Sequence, residues 1–87
     1  MRRNLEGYTI YLSLRQSGAP RLGLLVSRKH SARAVDRNRL KRSMREAFRL
    51  VQERLGPVDI LVRPPLGAKP SRDMIARLQE VLTRLLS

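Results

Sequence analysis

Between Asp36 and Leu55 the apolar residues other than Leu50 fall at Leu40, Met44, Ala47, Phe48, Val51 and Leu55, separated by 4, 3, 1, 3 and 4 positions. Only an α-helix gathers such a series on one side, because a helical turn takes about 3.6 residues. That helix must press its stripe, Phe48 included, against a core and turn its other side outward. Asp36 either caps its N-terminus or lies in its first turn, where a carboxylate suits the helix dipole. Gly56 and Pro57 end it. The rest of an 87-residue chain has to cover the stripe.

The flanking segments supply what is needed. From Tyr8 to Arg15 the pattern alternates, with Tyr8, Ile10, Leu12 and Leu14 on one side and Thr9, Tyr11, Ser13 and Arg15 on the other. This is the period of a half-buried strand. Gln16 to Pro20 holds the turn formers Ser17, Gly18 and Pro20, and the apolar run Leu22 to Val26 follows. The two runs read as a hairpin with a five-residue loop. Val58 to Val62, bounded by Gly56-Pro57 and Pro64-Pro65, reads as a short buried strand. A loop over 64–70 leads to Ser71 as an N-cap. Ile75, Leu78, Val81, Leu82, Leu85 and Leu86 then mark a core-packing helix. The expected class is α+β, in the order β-β-α-β-α, with helices packed on a small sheet of three to four strands.

At this length one domain, residues 1–87, is expected, near the size where a single core just sustains folding. The chain has no cysteine, so neither disulfides nor thiolate metal sites assist it. No signal-like start and no apolar run of about 18 residues appears. The expected location is therefore the cytoplasm, with no membrane partner.

Charge is where the chain departs from an ordinary domain. Nineteen Lys and Arg against seven Asp and Glu leave +12, a self-repulsion that a polyanionic partner would relieve. Residues 28–49 hold nine of the cations against Asp36 and Glu46, so nine minus two places +7 of the +12 in a quarter of the chain. On the helix, Arg37, Lys41 and Arg45 stand four apart, as do Asn38 and Arg42, and Arg45 and Arg49. Like charges at that spacing repel in an isolated helix, and a passing phosphate backbone reverses the penalty. Arginine suits bidentate phosphate contact and stacking on bases, and Asn38 adds a group that both donates and accepts. The reading is RNA binding.

Other residues carry plainer roles. Glu46 pairs within the helix with Arg42 or Arg49. His30, the only histidine, lies in a polar loop, solvated or near phosphate. Tyr11, on the polar side of its strand, either stacks an unpaired base or covers the sheet. The carboxylates are scattered without the pairing or H-x-E arrangement that metal or proton-relay chemistry needs.

The run RLGLLVSRKHSARAVDRNRLKRSMREAFR, residues 21–49, resembles the protein subunit of bacterial ribonuclease P. The resemblance is carried by an R-x-G-x-x-V-S-R-K strand, the A-V-x-R-N-R-x-K-R block and R-E-x-F-R, and DILVR at 59–63 fits the next strand. It implies a fold in which the signature helix joins two parallel strands by a left-handed crossover, against the usual preference. It further implies a non-catalytic subunit of a tRNA-maturing endoribonuclease, in which Mg2+ bound by the RNA subunit cuts precursor tRNA at the 5′ end of the mature sequence. No cofactor is then held tightly by the protein, and no small-molecule substrate is expected. By matching position, Arg37, Asn38, Arg39, Lys41, Arg42 and Arg45 contact ribonuclease P RNA, with Arg28, Lys29 and Arg33 beside them. Tyr11 and Ser27 line a cleft for the 5′ leader of precursor tRNA. Family members also begin with an aromatic-bearing helix that walls this cleft. The chain reads as a short form without it.

Two other functions use the same features. A standalone rRNA- or DNA-binding protein of ribosomal type would employ the same basic helix and differ only in partner. A protein-only nuclease would need an acid-base cluster that the residues do not provide.

Overall fold

The computed structural model describes residues 1–85, and Leu86, assigned above to the last helix, lies outside them. The chain runs through strands β1 (Arg2–Leu5), β2 (Tyr8–Leu14) and β3 (Arg21–Leu24), helix α1 (Ala34–Val51), strand β4 (Val58–Arg63) and helix α2 (Arg72–Arg84). A single 3-10 turn, Gln52–Arg54, extends α1. The four strands form one sheet in the order β1-β2-β4-β3, the upper end of the expected three to four.

Strand β1 is an addition to the elements read from the sequence. It pairs antiparallel with β2, Arg2 opposite Tyr11 and Leu5 opposite Tyr8, through the two-residue turn Glu6-Gly7. Both turn residues have positive φ, 51° and 86°, the geometry whose twist matches paired strands.

The expected hairpin between residues 8–15 and 22–26 is not formed. Strand β4 inserts between β2 and β3, antiparallel to the first and parallel to the second. Its alternate residues Val58, Ile60 and Val62 are buried, and a strand able to bury that much apolar surface gains most at the sheet centre. The segment after Leu14 therefore crosses the end of β4 instead of turning back. Arg15 anchors it, donating from its guanidinium to the Ser17 and Ala19 carbonyls. The parallel β3–α1–β4 connection implied by the resemblance is present.

The sheet has two unlike faces. Ile10, Leu12, Ile60 and Val62 point inward and join Leu40, Met44, Ala47, Phe48 and Val51 of α1 in one core cluster. Helix α2 completes it with Met74, Leu78, Val81 and Leu82. The α1 stripe is thus buried as its spacing requires, and Leu55 with it. Leu14, placed inward by alternation, is 66% exposed because it lies at the strand end. Ser71 caps α2, its hydroxyl accepting from the Met74 N–H at 3.0 Å. Asp36 lies in the first turn of α1 instead of capping it; Arg33 holds the cap position without a side-chain bond. No helix among the described residues is long and apolar enough to cross a membrane.

Candidate nucleic-acid interface

Burial of the α1 stripe leaves Asn38, Arg39, Arg42, Arg45 and Arg49 on the rest of the helix, all five exposed, with Lys41 half-buried beside them. Glu46 chooses one of its two candidate partners: Arg49 donates to both its carboxylate oxygens at 3.1 and 2.6 Å. That hydrogen bonding holds the Glu46 carboxyl below its ordinary range. Arg42 is left without an ion pair among the described residues, as are Arg39, Lys41 and Arg45. Four cations on about two turns of helix, none neutralised internally, form an electrostatic footprint for an anionic backbone.

Arg37 differs from its neighbours. Its side chain is half-buried and donates from Nη1 to the carbonyls of Ser31 and Ala32, each at 3.0 Å. It braces the entry to α1. Arg33 is exposed and lies 3.9 Å from Asp36, a loose surface pair.

The second feature is the outer face of the sheet. Side chains alternate across a strand, so the registers place Tyr11, Leu61 and Gly23 in one row with Arg2, and Thr9 and Arg63 in the next. Gly23 has a local purpose here. A Cβ at that position would lie 2.8 Å from Leu61 Cδ1, so glycine lets Leu61 lie flat and deepens the floor. A groove of about 570 Å³ runs over Tyr11, Gly23 and Leu61, and a second of about 820 Å³ over Thr9, Arg63, Ser27 and Lys29. Each admits a group the size of a nucleotide. Tyr11 and Ser27, expected to line one cleft, therefore occupy opposite ends of a trough built from two grooves on one face.

Tyr11 is 36% exposed, with the Arg2 guanidinium 6.0 Å from its ring centroid, the outer limit of a cation–π contact. Arg63 donates to Thr9 Oγ1 at 3.2 Å and stands midway along the trough. The sequence reading missed it. Its signal was the alternation within DILVR, which puts a cation on the face opposite Ile60 and Val62.

At the far end Asp59 accepts two bonds from Arg21, at 2.8 and 3.1 Å, and lies 3.2 Å from Arg15 Nε. The second contact is an ion pair only, since the buried Arg15 Nε–H makes no hydrogen bond among the described residues. The Arg21 bonds hold the Asp59 carboxyl below its usual range. His30, expected to be solvated or near phosphate, instead bridges two backbone groups, Ser27 N–H and the Pro64 carbonyl. Among the described residues no three His, Asp or Glu side chains cluster as a metal site requires.

Known proteins resemble this chain in sequence and in fold. The sequence model of the family described as Ribonuclease P matches residues 1–86. The ribonuclease P protein component of Nitrosococcus oceani is 40% identical over 76 residues, covering 85% of this chain and 64% of that protein. That of Methylococcus capsulatus is 45% identical over 73 residues, covering 78% and 57%. The chain thus spans about three fifths of the length of these relatives. The solved ribonuclease P protein of Thermotoga maritima superposes with a TM-score of 0.81 at 26% identity, over 98% of this chain and 83% of that one.

Proposed function

The chain belongs to the ribonuclease P protein family, and from that premise we propose that it is the protein subunit of a ribonucleoprotein that removes the 5′ leader from precursor tRNA. In this reading the α1 cations Arg39, Lys41, Arg42 and Arg45, with Asn38, dock on ribonuclease P RNA. The trough from Tyr11 to Ser27 receives the single-stranded leader, with Arg28, Lys29 and Arg33 at its helix end. Arg37 contributes by holding the loop that presents them. The carrying observation is that one small protein pairs an un-neutralised cationic ladder on α1 with an open trough on the sheet face turned away from that helix.

The protein's work in this scheme is binding and orientation. Fixing the leader on the same small protein as the RNA-docked helix converts recognition of two separate molecules into one aligned complex, which lowers the entropic cost of reaching the reactive arrangement. The reaction draws on magnesium. In this reading the RNA subunit holds the ion, and the protein's described residues contribute cations and the trough rather than ligands. The cytoplasm, where tRNA is matured, is the matching location.

Reconstitution tests the proposal. Purified protein alone should cleave nothing, and adding it to bacterial ribonuclease P RNA at low magnesium should restore processing of precursor tRNA. Absence of stimulation would remove the proposal. Tighter binding to rRNA or duplex DNA than to ribonuclease P RNA would favour a standalone binder of ribosomal type.

A further inference from the structure

The segment from β3 to α1 has no regular secondary structure over residues 25–33, yet it carries Arg28, Lys29 and Arg33. A loop of that kind samples many conformations, and its charges bind weakly unless they are ordered beforehand. Backbone bonds, Leu25 N–H to the Val62 carbonyl among them, and Arg37 order its two ends, and one ring fastens its middle. His30 Nδ1 lies 3.0 Å from Ser27 N, and Nε2 lies 2.9 Å from the Pro64 carbonyl oxygen. An amide N–H only donates and a carbonyl only accepts, so both contacts are satisfied by the neutral ring with its proton on Nε2. Protonation at Nδ1 would set one N–H against another.

The bonds around this ring form a continuous brace. The Ser27 carbonyl accepts from His30 N–H at 2.9 Å, and Ser27 Oγ accepts from Lys29 N–H at 3.2 Å. Pro64 directly follows Arg63, the cation at mid-trough. At the other end of the loop, Arg37 holds the Ser31 and Ala32 carbonyls. The turn is fastened to the end of β4 by His30 and to α1 by Arg37, and Lys29 lines the same groove as Thr9 and Arg63.

We infer that His30 is a positioning residue: its neutral Nε2–H ring staples the Ser27–His30 turn to the end of β4 and so holds Lys29 over the trough, where a phosphate of single-stranded RNA passes. The inference rests on the reading of the trough as the leader site and adds to it the device that orders its rim. The staple acts on leader-bearing substrate, because the trough receives the leader while α1 meets the catalytic RNA.

The test uses holoenzyme assembled with ribonuclease P RNA and compares affinity for precursor tRNA with affinity for mature tRNA, which has no leader. His30→Phe keeps the ring shape and removes both bonds. It should weaken precursor binding about fivefold, the effect of one or two missing positioning bonds, and leave mature tRNA unaffected. Lys29→Ala should show the same selective loss, and His30→Phe added to Lys29→Ala should cost less than about twofold more. His30→Gln, whose amide can still donate to Pro64, should recover part of the loss. In free protein, the imidazole 15N shifts should report the Nε2–H tautomer. Equal losses for both RNAs, additivity with Lys29→Ala, or an Nδ1–H ring would each overturn the staple. If wild-type holoenzyme binds both RNAs equally, the leader reading itself fails and the positioning role fails with it, whatever tautomer the ring shows.

Discussion

Asp59 holds two arginines from two different segments, Arg21 on β3 and Arg15 at the end of β2, and so ties the crossing loop to the central strand. Because the Arg21 hydrogen bonds lower its folded-state pKa, its contribution to stability is present above the unfolded carboxylate value, about 3.9. It is lost as pH falls through that value toward the folded one. Asp59→Asn should therefore be less stable than wild type near neutrality, with the difference closing in acid. Denaturant midpoints from about pH 7 to about pH 2.5 check this, and a difference independent of pH would show that the charge is not what matters. On α1, replacing Arg39 and Arg42 by Ala should weaken RNA binding and flatten its salt dependence by about 0.7–0.9 log unit for each phosphate no longer neutralised. An unchanged slope would mean that these two side chains do not meet phosphate. Both arginines were legible in the sequence, because a helix face is fixed by local spacing. His30 was not, since its partner Pro64 is 34 positions away.

At the scale of elements, the helices were the most legible parts. Repeats of three and four residues have one solution, and the cap at Ser71 follows from the residue type before an apolar series. Ser71→Ala should cost about 1 kcal/mol by removing the acceptor for Met74 N–H. A fall in thermal midpoint with the far-UV spectrum kept below it is the expected result, and no change would assign the cap no energetic role. The strands were less legible. Strand β1 consists of RRNL, with too few apolar residues to alternate, and Glu6-Gly7 lacks the Asn-Gly or Asp-Gly signature of its turn class. The β2–β3 hairpin was a sound reading of neighbouring segments. It failed because a third segment, far along the chain, has more apolar surface to bury between them.

For the molecule as a whole, charge and burial pull in opposite directions. A single cluster of buried residues built from both helices and the inner sheet face holds the fold, while +12 of net charge opposes compaction. Raising salt from about 10 to 200 mM, which shortens the Debye length to below about 10 Å, should stabilise the free protein. Each kcal/mol of repulsion relieved raises the thermal midpoint by about 4–8 °C for a domain of this size. A midpoint that falls with salt would mean that the surface ion pairs outweigh the repulsion. The same salt should weaken RNA binding, so stability and affinity are expected to move oppositely.

By itself the sequence determined the two helices, their buried stripes, the α+β class and the cationic face of α1, because each depends on periodicities over a few residues and on side-chain chemistry. Only the tertiary structure decided that β4 separates β2 from β3, and that Tyr11, Arg63 and Ser27 share one trough. It also decided that Arg37 braces a loop, and that His30 ties that loop to β4. Those arrangements depend on which distant segments bury the most apolar surface together, and on which backbone donors and acceptors are then left to be paired.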